Sequence, residues 1–160
     1  MPSPLLGLRD ELTLAFWIRG SGENGNWQWP VSRATTTTGR SYGFYIGKTT
    51  GILTFSGAFE AFPDRGHMDF PTGLNVWDDT WHHVVAVYSA ATGQLQITID
   101  GAASGGYAVN GGRLRDCGEP VSFGHVFPGK LDEVLLYSRC LTAEEAAGLS
   151  RREPPEMKGL

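Results

Sequence analysis

Residues 81–101 constrain the fold more than any other part of the chain. Two apolar runs, 81–88 and 95–99, alternate with the period of two that is typical of half-buried strands. The six residues between them include Gly93, which tolerates the positive φ that a tight turn requires. Asp100 and Gly101 predict a further tight turn directly after the second run. The segment therefore predicts antiparallel strands joined as a meander.

The rest of the chain repeats this pattern of short apolar runs separated by turn residues. Further strands are predicted at residues 12–18, 41–46, 52–55, 121–124 and 130–137. Segments 59–77 and 101–112 lack a clear strand pattern and are predicted to form exposed loops. Near the end of the chain, Thr142 and Glu145 have the spacing of a capping box, which predicts one short helix over 143–150.

Size and composition agree with one β-rich domain. The 160 residues can bury a sizeable core in one domain and are too few for two. The content of 22 Gly, 9 Pro, 8 Phe, 5 Trp and 5 Tyr favours strands and turns over helices. We expect the domain to cover residues 1–150 and residues 151–160 to form a polar tail or linker.

Charge and hydropathy exclude several classes of partner. The formal net charge is −4, and no run of Lys or Arg is longer than the pair Arg151 and Arg152, so nucleic acid is not an expected partner. No apolar stretch reaches the length of a membrane-spanning helix, and membrane insertion is not expected either. Residues 1–8 do not resemble a secretion signal, so an exported protein would need a signal outside this chain.

The two cysteines, Cys117 and Cys140, leave two alternatives open. Each lies at the edge of an apolar run, so adjacent strands could bring them within disulfide distance. The separation of their Cα atoms decides between a disulfide and two free thiols, and the sequence does not supply that distance.

Three segments, 12–19, 81–101 and 129–145, carry a resemblance to a known family in their order and spacing. They resemble the laminin-G-like jelly rolls of the concanavalin A-like lectin and glucanase superfamily. The resemblance implies an all-β fold, a two-sheet antiparallel jelly-roll sandwich with one short C-terminal helix. Members of the family usually carry a further N-terminal segment before the first strand found here. We therefore expect this chain to belong to a larger multidomain protein.

What the resemblance implies about function is binding of sugars or protein surfaces, often in secreted or cell-surface proteins and sometimes with bound calcium. It places the protein outside the cell, at the cell surface or in the periplasm. Asp132 matches an acidic position in the last strand of the family, which makes it the candidate ligand of a structural calcium ion. The alternative for Asp132 is a hydrogen bond to the backbone.

Catalysis is not expected, because the motifs that it requires are missing. Relatives that resemble laminarinases carry the pattern Glu-x-Asp-x-x-Glu on one strand, and this chain lacks it. The acidic pairs 78–79 and 132–133 are adjacent residues, which point to opposite faces of a strand. Residues 39–43 match the Gly-x-Ser-x-Gly nucleophile motif without the required turn into a helix. His83 lies among apolar positions and is predicted to be a hydrogen-bonded structural residue.

Aromatic residues mixed with acids and bases mark the candidate ligand-binding positions. Trp27 and Trp29 would lie on one side of an extended strand, about 7 Å apart, as a stacking platform or as core residues. Segment 59–77 carries the remaining candidates on a predicted loop, where binding residues concentrate. The candidate ligand-binding residues are Trp27, Trp29, Phe62, Asp64, Arg65, His67, Asp69 and Trp77.

The sequence thus predicts a non-catalytic recognition module that binds a glycan. A protein-interaction or adhesion domain of the laminin-G type is the alternative, and a glycoside hydrolase or lyase domain is the third reading. Exposed aromatic residues around one concavity would favour the glycan, whereas a flat hydrophobic patch would favour a protein ligand.

Overall fold

The computed structural model describes residues 8–34 and 39–152, and within them two five-stranded antiparallel sheets pack against each other. This arrangement confirms the predicted all-β sandwich with one short C-terminal helix. In chain order the elements are β1 (Glu11–Arg19), β2 (Gln28–Ala34), β3 (Arg40–Ile46), β4 (Ile52–Gly57), β5 (Met68–Asn75), β6 (His82–Ser89), β7 (Gln94–Ile99), β8 (Ala102–Ala108), β9 (Ser122–His125), β10 (Lys130–Tyr137) and α1 (Ala143–Ser150).

Strand order separates the two sheets. Sheet 1 has the order β10-β1-β6-β7-β8, and sheet 2 has the order β5-β4-β3-β2-β9. The predicted meander forms in sheet 1, where Tyr88 pairs with Leu95 and Val84 pairs with Ile99. Strands β5 and β8, the edges of the two sheets on one side of the sandwich, contact each other through the Tyr107 hydroxyl, which donates to the Pro71 carbonyl oxygen at 2.7 Å.

The core between the sheets is rich in phenylalanine. Phe16 of β1 meets Phe44 of β3 edge to face, with ring centroids 5.3 Å apart. Phe44 makes a second contact of the same length with Phe55 of β4. Because Phe44 is fully buried and touches rings from both sheets, it joins the two layers.

Two predicted loops contain strands. Segment 101–112 contains β8, and segment 59–77 contains β5, so both predictions were wrong over those residues. In β8, Gly106 pairs with Gln96, and a Cβ atom there would lie 3.0 Å from the Gln96 side chain. Gly106 therefore allows the Gln96 side chain to pack closely across the strand pair, and it does not mark a turn. In β5, Pro71 is tolerated because the strand is at a sheet edge.

The C-terminal helix confirms the predicted capping box. Thr142 Oγ1 accepts from the Glu145 backbone N–H at 3.1 Å, and Glu145 Oε2 accepts from the Thr142 N–H at 2.9 Å. Ala146 of the helix packs on Ala15 and Val85, so the helix covers the outer face of sheet 1. Within the described residues, no helix is long and apolar enough to cross a membrane.

The cysteines are free thiols in this structure, which supports the second of the two alternatives. Cys117 Sγ donates to the Arg33 carbonyl oxygen at 3.6 Å, and Cys140 Sγ donates to the Tyr88 carbonyl oxygen at 3.3 Å. Burial raises the pKa of the Cys140 thiol, and the charge of Glu11 adds to this effect. Cys140 is therefore a poor nucleophile near neutral pH.

Two adjacent histidines occupy opposite faces of sheet 1. His83 is buried on the outer face against the Trp17 ring, with centroids 5.0 Å apart, and not between the sheets. Its Nδ1 has no hydrogen-bond partner among the described residues, so the predicted hydrogen-bonded role does not hold for that atom. His82, in contrast, places Nδ1 2.7 Å from Asp100 Oδ2 and Nε2 2.9 Å from Asp78 Oδ2.

We expect the pKa values of the two imidazoles to be shifted in opposite directions from that of a free histidine. Burial lowers the pKa of His83 to about 4. Burial also acts to lower the pKa of His82, but Asp100 and Asp78 outweigh it, and the pKa is raised. An NMR titration of the ring protons should therefore show His82 protonated at a pH where His83 is neutral. The reverse order would contradict the described contacts.

The raised pKa of His82 also makes stability depend on pH. Its stabilising contribution is fully present below about pH 6.5, the value for the unfolded chain, and is lost as the pH rises through the folded pKa. We expect the midpoint of thermal unfolding to fall more steeply in the native protein than in His82→Gln as the pH rises above about 6.5. Chemical denaturation at fixed pH values measures the same difference, and parallel pH curves would refute it.

Candidate functional site

The outer face of sheet 2 carries the polar and aromatic side chains that the core excludes. Along β4, Leu53 and Phe55 point into the core, and Thr54 and Ser56 point outward. Pairing extends these outward positions into two rows across the sheet. One row is Tyr45, Thr54 and Pro71, and the next row is Gly43, Ser56 and Asp69. The second row has short side chains and forms a low, polar floor.

A cavity of about 220 Å³ opens beside this floor, at Asp69. It is lined by Trp27, Trp29, Arg40, Tyr45, His67 and Asp69. The Tyr45 ring lies 5.3 Å from each of the rings of Trp27 and Trp29, so the three aromatic residues form one continuous wall. Trp27 is 52% exposed, which leaves much of its surface available for contact with a ligand.

Arg40 lies across the floor of the cavity. Its guanidinium carbon is 4.6 Å from the centroid of the Trp29 ring, and Nη1 donates to Ser56 Oγ at 3.1 Å. Burial lowers the pKa of Arg40, and the charge of Asp69 opposes this effect. The guanidinium stays charged at neutral pH, and its position is fixed by the stacking contact and the hydrogen bond.

Asp69 supplies the acidic group of the cavity. His67 Nε2 lies 3.4 Å from Asp69 Oδ2. The Tyr45 hydroxyl interacts with Asp69 and Thr54, and its pKa is raised by burial first and by the charge of Asp69 second. The phenol is therefore neutral and can donate a hydrogen bond. One wall of the cavity thus presents donors and acceptors together beside aromatic faces.

A second cavity, of about 400 Å³, adjoins the first. Both are bounded by Trp27 and Tyr45, and the second cavity extends to Lys48, Thr49 and Thr50 in the turn between β3 and β4. Thr54 and Pro71 complete its floor. We refer to the two cavities together as the groove.

The groove brings together half of the residues that were predicted to bind a ligand, namely Trp27, Trp29, His67 and Asp69. Phe62, Asp64 and Arg65 lie apart from it, in the turn that precedes β5. Phe62 packs against the core, and the Arg65 guanidinium lies 5.6 Å from the centroid of its ring.

Trp77 also lies outside the groove. Its side chain is packed against the core, and its ring is so close to Gly51 that a Cβ atom there would approach it to 2.7 Å. Its buried indole N–H has no partner among the described residues. The contacts of Trp77 are therefore those of a packing residue.

Sequence reasoning missed Arg40 and Tyr45. Arg40 belongs to the Gly-x-Ser-x-Gly match, which was rejected as a nucleophile motif, and Ser41 of that match is fully buried within β3. The signal for Tyr45 was alternation: Phe44 and Ile46 point into the core, which leaves Tyr45 on the outer face. For Arg40 no local signal exists, because its partners Trp29, Ser56 and Asp69 belong to three other strands, β2, β4 and β5.

The described residues offer Asp132 no set of partner ligands for calcium. Its Oδ1 accepts from the Glu133 backbone N–H at 2.7 Å, which is the backbone-bonding alternative. Across residues 8–34 and 39–152, no group of three or more His, Cys, Asp or Glu side chains is placed to hold a metal ion. Calcium at Asp132 stays a prediction, and no further step is derived from it.

Comparison with known proteins identifies a family. The family model described as the concanavalin A-like lectin/glucanases superfamily matches residues 1–147. A search of curated protein sequences found no significant match.

Solved structures with the same fold include three that are instructive. The binding domain of Paraclostridial Mosquitocidal Protein 1 is 18% identical with a TM-score of 0.69, over 91% of this chain and 38% of that one. The heptameric SAP-like pentraxin from Limulus polyphemus is 17% identical with a TM-score of 0.61, over 89% and 70%. The binding domain of botulinum neurotoxin DC in complex with SialylT is 13% identical with a TM-score of 0.64, over 88% and 35%. This chain spans little more than a third of the two toxin chains.

Proposed function

Since the chain belongs to the concanavalin A-like lectin/glucanases superfamily, we propose that it is a non-catalytic recognition module that binds a glycan in the groove on sheet 2. One observation carries the proposal: Trp27 and Trp29 present aromatic faces in the same cavity as the Arg40 donor and the Asp69 acceptor. Sugars have apolar ring faces and a rim of hydroxyl groups that both donate and accept hydrogen bonds. A cavity with both features is complementary to them.

The acid content of the groove supports binding without catalysis. Glycoside hydrolysis generally uses two carboxyl groups that flank the scissile bond. Among the described residues that line the two cavities, Asp69 is the only acid. We propose further that the module acts outside the cell, as part of a larger protein; two of the similar structures described above, the binding domains of a mosquitocidal protein and of a neurotoxin, support this.

A protein ligand is the second candidate, and one observation favours it. Phe123 in β9 is 58% exposed, and Val126, the residue that follows β9, is also exposed. Exposed apolar side chains at a sheet edge are a common feature of protein contacts. They lie outside the groove, so the two candidate functions use different surfaces and can be tested separately.

Asp69→Ala is expected to weaken glycan binding by roughly 10- to 100-fold, because it removes a charged hydrogen-bond acceptor from the cavity. The measurement is calorimetric titration with the best ligands of a soluble glycan panel, with calcium and with a chelator. Asp64→Ala is the matched control, since Asp64 is an exposed acid near β5 but outside the groove. Equal losses in the two variants, or a panel without any ligand, would refute the proposal.

A further inference from the structure

The groove is long enough for more than one sugar unit. Its first cavity is lined by Arg40 and Tyr45 of β3, and its second by Tyr45 and by Gly47 in the turn after β3. From Arg40 to Gly47 the backbone rises roughly 23 Å, which exceeds the width of a single pyranose ring. The Trp27 and Tyr45 rings stand between the two cavities and contact each other at 5.3 Å.

The two cavities differ in chemistry. The first holds the charged side chains of Arg40 and Asp69 beside the Trp29 ring. The second is mainly apolar, with Ile52 and Pro71 beside the Trp27 and Tyr45 rings, and Lys48, Thr49, Thr50 and Thr54 add its polar groups. A mainly apolar surface with a few polar side chains is complementary to the apolar face and the hydroxyl groups of a sugar ring, so the second cavity suits a further unit of the same chain.

The charges of the first cavity favour an uncharged sugar unit there. Arg40 and Asp69 carry opposite charges and line the same cavity, so their charges cancel there. The carboxylate of an acidic sugar in this cavity would be repelled by Asp69 as well as attracted by Arg40, so its charge would gain little there. A pair of neutral hydroxyl groups can instead accept from Arg40 and donate to Asp69.

We infer that the groove holds at least two consecutive units of an extended, uncharged glycan chain, which crosses the Trp27 and Tyr45 rings. The inference rests on the proposed function, because it specifies the ligand of the same groove. It makes internal segments of a polysaccharide better ligands than single sugars or charged terminal sugars.

The experiment is a calorimetric titration of the chain with oligosaccharides of increasing length. The probes are glucose and galactose, their β-1,4- and β-1,3-linked oligomers of two to five units, and 3′-sialyllactose as the charged probe. We expect affinity to rise at least tenfold from the monosaccharide to the trisaccharide in one neutral series and then to level off.

Two variants test whether the gain in affinity with chain length comes from the second cavity. The double variant Lys48→Ala/Thr49→Ala changes exposed residues of the second cavity, and it should abolish the gain in affinity with chain length. Phe123 is an exposed aromatic residue outside the groove, so Phe123→Ala should change neither the affinity for the monosaccharide nor the gain in affinity with chain length.

The outcomes separate the inference from the proposed function. Equal affinity for the monomer and the pentamer would overturn the extended-chain inference and leave glycan binding in place. If 3′-sialyllactose is the one probe that binds, the inference that the ligand is uncharged is overturned, and glycan binding stays in place. If none of the probes binds, and the wider panel has no ligand either, both fail together.

Discussion

Replacing Phe44 with alanine is expected to lower the free energy of unfolding by about 3–5 kcal/mol, the range for removal of a fully buried aromatic side chain. Phe44 touches Phe16 in sheet 1 and Phe55 in sheet 2, so its removal leaves a cavity between the layers. The same strand carries Tyr45 on its outer face. Loss of Phe44 therefore weakens the support of the groove as well as the core.

Denaturant unfolding followed by tryptophan fluorescence measures the effect of Phe44→Ala. Phe123→Ala is the matched control, because it is the same substitution in the same sheet at a residue that is 58% exposed. The control should change stability by less than about 0.5 kcal/mol. Similar losses in the two variants would contradict the described packing.

The second large effect is expected at the ion pair between the buried Arg33 side chain and the exposed Asp116 carboxylate. The Arg33 side chain is 4% exposed, and its Nη2 lies 2.7 Å from Asp116 Oδ1, whereas Asp116 is 52% exposed. Arg33 Nε and Nη1 have no hydrogen-bond partner among the described residues. Asp116→Ala leaves the guanidinium buried without its counter-charge, which should cost about 3 kcal/mol, the lower end of the range for such pairs.

A rescue variant tests this explanation. In Arg33→Met/Asp116→Ala the buried charge is gone, and an apolar chain of similar length fills its place. Stability should return to within about 1 kcal/mol of the native protein, as measured by denaturant unfolding. If the double variant is as unstable as Asp116→Ala, the loss comes from the hydrogen bond that Asp116 accepts from the Gly118 N–H, and the ion-pair explanation is wrong.

Strands whose apolar and polar residues alternate clearly could be predicted from the sequence. Strands whose conformation depends on pairing with an adjacent strand could not. Strand β10 was predicted with its observed limits, and the helix with its capping box was also correct. Strand β8 is rich in glycine and β5 contains Pro71, so neither has a local strand pattern. Both are edge strands whose extended conformation is stabilised by backbone hydrogen bonds to an adjacent strand, which a local pattern does not reveal.

The groove was only partly predictable for a related reason. Trp27 and Trp29 were recognised by type, and His67 and Asp69 by their place among aromatic residues. Which members of segment 59–77 enter the groove depends on the start of β5, which places Asp69 outward and leaves Asp64 in a turn. Arg40 acquires its role from the Trp29 ring and Ser56, and such contacts across strands depend on register.

The alternation of side chains in sheet 2 makes this domain a practical scaffold for engineering. Residues that line the groove, such as Thr54 and Asp69, alternate along their strands with core residues such as Phe55 and Phe70. A library that varies outward positions alone would thus sample new specificities on a constant interior. The turn between β3 and β4, which holds Lys48 and Thr49, adds a place where a longer insertion would enlarge the recognised surface without entering the hydrophobic interior.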